Sequence, residues 1–341
     1  MFKILLCRMD RTGIYGHQRD AFQESLKKIA NVTTVTNSLP NKINRGKYVK
    51  ALFDNKNPDY KIPPKIPGLL EKNDYDFIFV DCEIGMFYYE PWSEIKIPKI
   101  STLHDLHVSK KFASFMIKND FDMIVTRYKN SLYDLIPELR QYKYLIRWQP
   151  GCVNINLFKD YKELKKYDVT MAGKVSNFYS KRQQIKKYFQ NKPYFNYVER
   201  PRDNDPNAWP IDLDYAKLLN QSKICISTGG KYNYPFMKNF EITACKSLLM
   251  VNDFKELNEL GFYDTFNFIS LSENMELNEE KLLEYLNNDV LRELTVLHGY
   301  NHTRLKHNSD YRAKEFINIL CEYKNIKLAY PEIGINKYKY Y

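Results

Sequence analysis

STGGKYNYPFMKNFEITACKSLLMVND, residues 227–253, decides how the chain is built. It leaves an apolar run, KICIS (223–227), through small, hydroxyl-bearing and flexible residues. A segment of helical period over about 237–246 follows, and the stretch ends in the apolar run SLLMVN (247–252). Strand, turn, helix and strand in this order make the repeating unit of a parallel sheet, whose neighbouring strands need a crossover that covers the sheet face. The same alternation extends both ways. Strands are predicted at DVTMAG (168–173), FNYVE (195–199) and FNFIS (266–270), with helices at about 179–190, 213–220, 255–260, 278–287, 289–297 and 308–325. Upstream, KILLC (3–7), VTTVT (32–36), DFIFVD (76–81), PKIST (98–102), MIVT (123–126) and YLIRW (144–148) read as strands, with helices over 17–30, 108–118 and 129–139.

Between the two series lies QPGCVNINLFKDY, with Pro-Gly and no periodicity. The pattern predicts an α/β protein of two Rossmann-like domains facing across a cleft, with a C-terminal helix packing back. The boundaries read from it are 1–152, 153–307 and 308–341. In open α/β sheets ligands bind beyond the carboxyl ends of the strands, so the residues just after each strand are the ones to read.

The 341 residues suit two domains, and 44% hydrophobic with 15% aromatic residues is enough apolar material for two cores. This excludes a disordered chain. Lys and Arg number 52 against 41 Asp and Glu, a net charge of +11, which suits a phosphate-bearing partner: a nucleotide, a nucleic acid or an anionic membrane surface. No apolar run approaches the length of a membrane-spanning helix, and the first residues read as a buried strand rather than a signal peptide. The six cysteines (7, 82, 152, 225, 245 and 321) have no CxxC or zinc spacing. They read as buried thiols in a reducing cytoplasm.

Several strand ends carry chemistry. RMDRTGIYGHQRDAF places Gly13 and Gly16 before a helix, where backbone amides suit oxygen-rich or anionic groups, although turn geometry alone also uses glycine. STLHDLH holds His104, Asp105 and His107. A His–Asp pair there suits hydrogen bonding or proton transfer, and a capping Asp beside a surface His fits equally well. AGKVSNFYSKR follows Gly173's strand with Lys174, Lys181 and Arg182 near a helix start and Ser176 as a cap, a diphosphate clamp or a solvated basic face. Ser227, Thr228, Gly229 and Gly230 end another strand, and Lys238 then precedes Glu241, which is read as opening the next helix. A carboxylate there can take both hydroxyls of a ribose, while the lysine and the helix N-terminus favour phosphate. DLD at 212–214 reads as a helix cap, so no metal motif is identified.

KNFEITACKSLLMVNDFKELNELGF (238–262) resembles the donor-binding segment of GT-B glycosyltransferases. It is most similar to the CgeB-like group and also similar to family 4 retaining enzymes. Lys238, Phe240, Glu241, Ala244, Cys245 and Asp253 fill that pattern. WQPGCVNINLF (148–158) resembles the family's linker, YDVTMAGKVSNFYSKR (167–182) the opening of its nucleotide domain, and LRELTVLHGYNHTRLKHNSDYRAKEF (291–316) its tail. In the first half, Gly16, His17 and the His104–Asp105 pair carry the likeness. The chain departs from the pattern twice: Asn233 stands where the first glutamate of an E-x7-E pair would be, and Lys246 stands where a glycine follows the turn.

The resemblance implies a GT-B enzyme with the nucleotide sugar on the C-terminal domain and the acceptor on the N-terminal one. The donor implied is a nucleotide diphosphate sugar, UDP-glucose for example, and transfer to a glycan, protein or other hydroxyl would retain configuration without a metal or other cofactor. Donor contacts are then expected from Gly16, His17, Gly173, Lys174, Lys181, Arg182, Ser227, Thr228, Gly229, Gly230, Asn239, Phe240 and Glu241, and catalytic contacts from His104, Asp105 and Lys238. Two alternatives stand beside this: a DNA base as acceptor, and a catalytically silent module that binds a nucleotide or glycan. Membrane-surface contact through VSKKFASFMIK (108–118) is compatible with each.

Overall fold

The computed structural model describes residues 1–9, 16–37, 69–71, 73–81, 92–103, 113–199 and 212–333. Two parallel sheets form. The first runs β2 (Asn31–Asn37), β1 (Lys3–Met9), β3 (Phe77–Val80), β4 (Lys99–Leu103), β5 (Met123–Thr126) and β6 (Ile146–Trp148). The second runs β11 (Ile269–Leu271), β10 (Leu248–Asn252), β9 (Ser222–Ile226), β7 (Tyr167–Ala172) and β8 (Phe195–Val198). All the strand pairings within both sheets are parallel. The chain divides into two compact units, one of Met1–Gly13, Gln23–Pro150 and Ala313–Tyr341, the other of Ile14–Phe22 and Gly151–Arg312.

Helices named below are α1 (Gly16–Ile29), α2 (Asn130–Leu135), α3 (Ser180–Phe189), α4 (Leu213–Asn220), α5 (Met237–Ala244), α6 (Lys255–Glu259), α7 (Met275–Asn287), α8 (Asp289–Lys306) and α9 (Ser309–Tyr323). In the first unit the end of α9 returns to the sheet, with Phe316 against Phe79 at 4.6 Å and the Tyr323 hydroxyl donating to Asp122 at 2.8 Å. In the second, one sheet face is built by period-2 alternation: Val169 and Met171, Ile224 and Ile226, Leu248 and Met250, Ile269 and Leu271. Ile185 and Phe189 of α3, Leu282 of α7 and Val296 of α8 close over it.

Where the elements differ from the sequence reading, one residue explains each case. The helix expected over 129–139 stops at Leu135, because Pro137 has no N–H to continue it, and a 3-10 segment, Pro137–Leu145, replaces it and shortens the following strand. The helix expected to end at 297 runs through Gly299 to Lys306. A Cβ at Gly299 would stand 2.6 Å from the Asn267 carbonyl, so close helix packing, rather than helix termination, requires the glycine. Neither Ser176 nor Asp212 caps through its side chain, contrary to the cap readings; α3 opens at Ser180, and Asp212 holds a left-handed φ of 45°.

Candidate functional site

The second sheet reverses its strand order at β7, which has β8 on one side and β9 on the other. At such a switch point the two crossovers leave in opposite directions, opening a crevice outside the carboxyl ends of β7 and β9. Gly173 follows β7, and Ser227 follows β9.

Gly173 adopts φ +141°, and a Cβ there would lie 2.6 Å from Arg182 Nη1 and 3.1 Å from Lys238 Nζ. Two cations from different helices therefore meet at one glycine. Arg182, on α3, is 6% exposed, donates to the Lys174 carbonyl at 2.9 Å and lies 4.2 Å over the Tyr179 ring. Among the described residues no carboxylate pairs with it. Burial lowers its proton affinity below the ordinary value, and the neighbouring tyrosines Tyr179, Tyr215 and Tyr197 partly offset this. Lys238, in the first turn of α5, donates to the Ala172 carbonyl and lies 5.9 Å over the buried Tyr215 ring. The Tyr197 hydroxyl donates to the Gly173 carbonyl at 3.0 Å.

Glu241 lies three residues beyond Lys238, so their side chains leave α5 on one face. It sits in the second turn rather than opening the helix, as the sequence reading had it. It is half-buried and deep among protein atoms, and burial pushes its carboxyl up to about 7; Lys238 pulls down and Asp212 pushes further up. Beyond the end of β9, Ser227 and Thr228 are 1% exposed, and their hydroxyls have no hydrogen-bond partner among the described residues. The Ser227 N–H is taken by the Met250 carbonyl and that of Gly173 by Val198, so the hydroxyls, rather than these two amides, hold bonding capacity. Asn239, wholly buried on α5, likewise has both amide atoms without a partner among the described residues. Gly230 adopts φ +62°, and a Cβ there would lie 3.0 Å from the Phe236 ring and 3.4 Å from the Tyr179 ring, which sets this turn against the one after β7.

The structure thus brings together Gly173, Arg182, Lys238 and Glu241, with the turn from Ser227 to Gly230 on the adjoining strand. Lys174 is exposed, and Lys181 turns away to Glu273 at 2.7 Å. Phe240 points behind α5, flat against His307 at 4.7 Å. Gly16 and His17 form the start of α1. His104, Asp105 and His107 lie outside the described residues, as does Gly13. Of the segment 108–118, only 113–118 is described; it is helical and buries Ala113 and Met116. The sequence reading missed Tyr179, Tyr197 and Tyr215, which wall the cations; in a chain with 28 tyrosines they carry no local signal.

A support lies behind α5. Arg312 Nη2 donates to His307 Nδ1 at 2.6 Å and Nε to the Gly151 carbonyl at 3.3 Å. Arginine cannot accept, so His307 carries its proton on Nε2, which reaches the Leu260 carbonyl at 2.9 Å. His302 Nε2 meets the same carbonyl at 2.7 Å, and Thr303 and Thr243 join α8 to α5 through a hydroxyl pair at 2.7 Å.

Both departures from the resembled pattern fall on left-handed backbone. Asn233 has φ 48° and Lys246 φ 56°. Asparagine tolerates that region better than other side chains. Lys246 holds the conformation a glycine would supply and lies 3.3 Å from Asp160. Among the described residues no group of three His, Cys, Asp or Glu could hold a metal ion, five cysteines are free, and no helix is long and apolar enough to cross a membrane.

Residues 155–318 match the family model described as Glycosyl transferase-like. No curated protein sequence matches the chain. Among solved structures, Anabaena Alr3699/HepE in complex with UDP superposes with a TM-score of 0.60 at 9% identity, covering 94% of this chain and 100% of that one. Sucrose-phosphate synthase from Thermosynechococcus elongatus gives 0.59 at 11% identity, covering 95% and 100%. TarM gives 0.52 at 12% identity; 72% of this chain matches, spanning about half (54%) of TarM. The two parallel-sheet α/β units have the GT-B fold.

Proposed function

We propose that the chain is a glycosyltransferase that moves a sugar from a nucleotide diphosphate sugar, UDP-glucose first among donors, to a hydroxyl on a glycan or protein. The observation that carries this is the convergence of Arg182 and Lys238 on Gly173 at the switch point, with Glu241 on the same helix face as Lys238. Breaking a glycosyl–phosphate bond builds negative charge on the departing diphosphate, and fixed cations in a water-poor site stabilise it as it forms. Arg182 offers a planar fork and Lys238 a point charge. In this reading these side chains supply the charge without a metal.

Glu241 binds the ribose hydroxyls, which requires its ionised form, and the Ser227 and Thr228 hydroxyls bond the donor. The leaving phosphate then takes the acceptor's proton, and transfer retains configuration. His104, with Asp105, contacts the sugar or acceptor. The family match over 155–318 supports the activity, and the UDP and UDP-glucose bound by HepE support the choice of donor. Asn233, in place of a glutamate, favours a second reading in which nucleotide binds without turnover.

Thermal melts against UDP-, GDP-, TDP- and CMP-sugars test the site. A ligand at about 100 times its Kd adds about 2.7 kcal/mol. We expect a rise with UDP-sugars alone, lost in Glu241→Ala; no rise with any of them would refute the assignment. Donor consumption in the presence of glycan acceptors then separates turnover from binding.

A further inference from the structure

Phe240 stands between Lys238 and Glu241 in the chain but leaves α5 about 200° round from the lysine, on the opposite side of the helix. Its buried ring lies flat on His307, 4.7 Å away and 12° from parallel. A Cβ at Gly151 would lie 3.0 Å from Met237, the first residue of α5, and 4.0 Å from Phe240. The back of the helix therefore rests on His307 and on Gly151. One buried guanidinium holds both, since Arg312 donates through Nη2 to His307 Nδ1 and through Nε to the Gly151 carbonyl. At the other edge of the imidazole, Nε2 donates to the Leu260 carbonyl. Phe262 fills the corner, 5.9 Å from Phe240 and 5.3 Å from His307.

The residue type at 307 is specific. Phenylalanine would supply the flat face without the polar edges, and asparagine or glutamine the polar groups without the face. A neutral imidazole with its proton on Nε2 supplies a face, an acceptor and a donor together. Apolar burial is non-directional, whereas a ring pinned at both edges fixes the surface against which Phe240 lies. Side chains reach about 5–6 Å from a helix axis, so turning α5 by about 10° carries the heads of Lys238 and Glu241 through about 1 Å. A misplacement of about 1 Å at a reacting centre can cost about a hundredfold. We propose that His307, anchored by Arg312, is a positioning residue that fixes the rotation of α5 and so where Lys238 and Glu241 meet the donor. The role rests on the donor site proposed above.

Calorimetric titration of the folded full chain with UDP-glucose, at a temperature well below its melting range, tests this. His307→Asn keeps an acceptor near Arg312 and removes the flat ring. It should weaken binding by about tenfold or more. A purely structural role would lower Tm and leave the affinity of the folded form untouched. Phe240→Leu keeps an apolar side chain in the core and should also weaken binding, so it carries the test should His307→Asn not fold. The double variant should bind no more weakly than the weaker single one, because His307 acts through Phe240. A second readout needs no ligand. Comparing the stability of each protein with its Glu241→Gln derivative across pH reports the Glu241 carboxyl, about 7 in the wild type. Freeing α5 admits water to that carboxyl, so in His307→Asn the midpoint should fall toward its ordinary range. A wild type that binds no UDP-glucose would overturn the donor reading and this role with it. Wild-type binding that His307→Asn leaves unchanged, losses that add in the double variant, or a Glu241 midpoint that stays in place would overturn the positioning role alone.

Discussion

Replacing Glu241 with glutamine should make the free protein more stable in alkali and remove the pH dependence of donor binding. The carboxyl titrates near 7 instead of its ordinary 4.5 because burial opposes its charge more than Lys238 favours it. Each tenfold change in proton affinity corresponds to about 1.4 kcal/mol, so carrying the charge costs up to about 3 kcal/mol. The folded value lies above the unfolded one, so the folded chain holds the proton more tightly. Stability from this group is therefore complete below about pH 4.5 and declines as pH rises through about 7. Glutamine mimics the protonated form and shows no such decline. At pH 8.5 the variant should exceed the wild type by up to about 3 kcal/mol, and at about pH 4 the two should nearly coincide. For a unit of this size, 1 kcal/mol moves Tm by roughly 2–4 °C, so calorimetry at the two pH values resolves the difference. Calorimetric titration with UDP-glucose, whose charge is constant over this range, gives the functional half. Wild-type affinity should be about tenfold weaker at pH 6 than on its alkaline plateau, following the ionised fraction, and the variant should bind weakly at every pH. Parallel pH profiles for the two proteins, in either stability or affinity, would refute the argument.

Gly173→Ala should combine a left-handed backbone with a contact of 2.6 Å to Arg182, costing about 1–3 kcal/mol in denaturant unfolding and abolishing UDP binding. Wild-type affinity in that variant would show that the cations do not need the glycine. Lys246→Gly should leave stability within about 1 kcal/mol, because backbone relief offsets a half-exposed ion pair. Lys246→Val, β-branched at φ 56°, should cost about 2 kcal/mol; equal midpoints for the two variants would contradict the strain assigned there.

Much of this protein is local. Short continuous apolar runs such as KILLC and SLLMVN, separated by helical segments, specify parallel strands with crossovers, because strands covered on both faces bury every side chain. The switch point, and hence where a ligand would enter, needed the strand order, which pairs segments far apart in the chain. The site divides in the same way. Lys238 and Glu241 share a face by spacing alone, and the sequence determines that much. It does not separate Lys181 from Arg182: successive residues on a helix point about 100° apart, and what each meets belongs to other elements. Glu273 takes the lysine, while Gly173, Tyr179 and the Lys174 carbonyl surround the arginine. Asn233 and Lys246 show the converse, since by residue type they break the resembled pattern. Both nevertheless hold a left-handed φ, because φ is set by the surrounding packing and a residue's identity only makes it cheaper or dearer to hold.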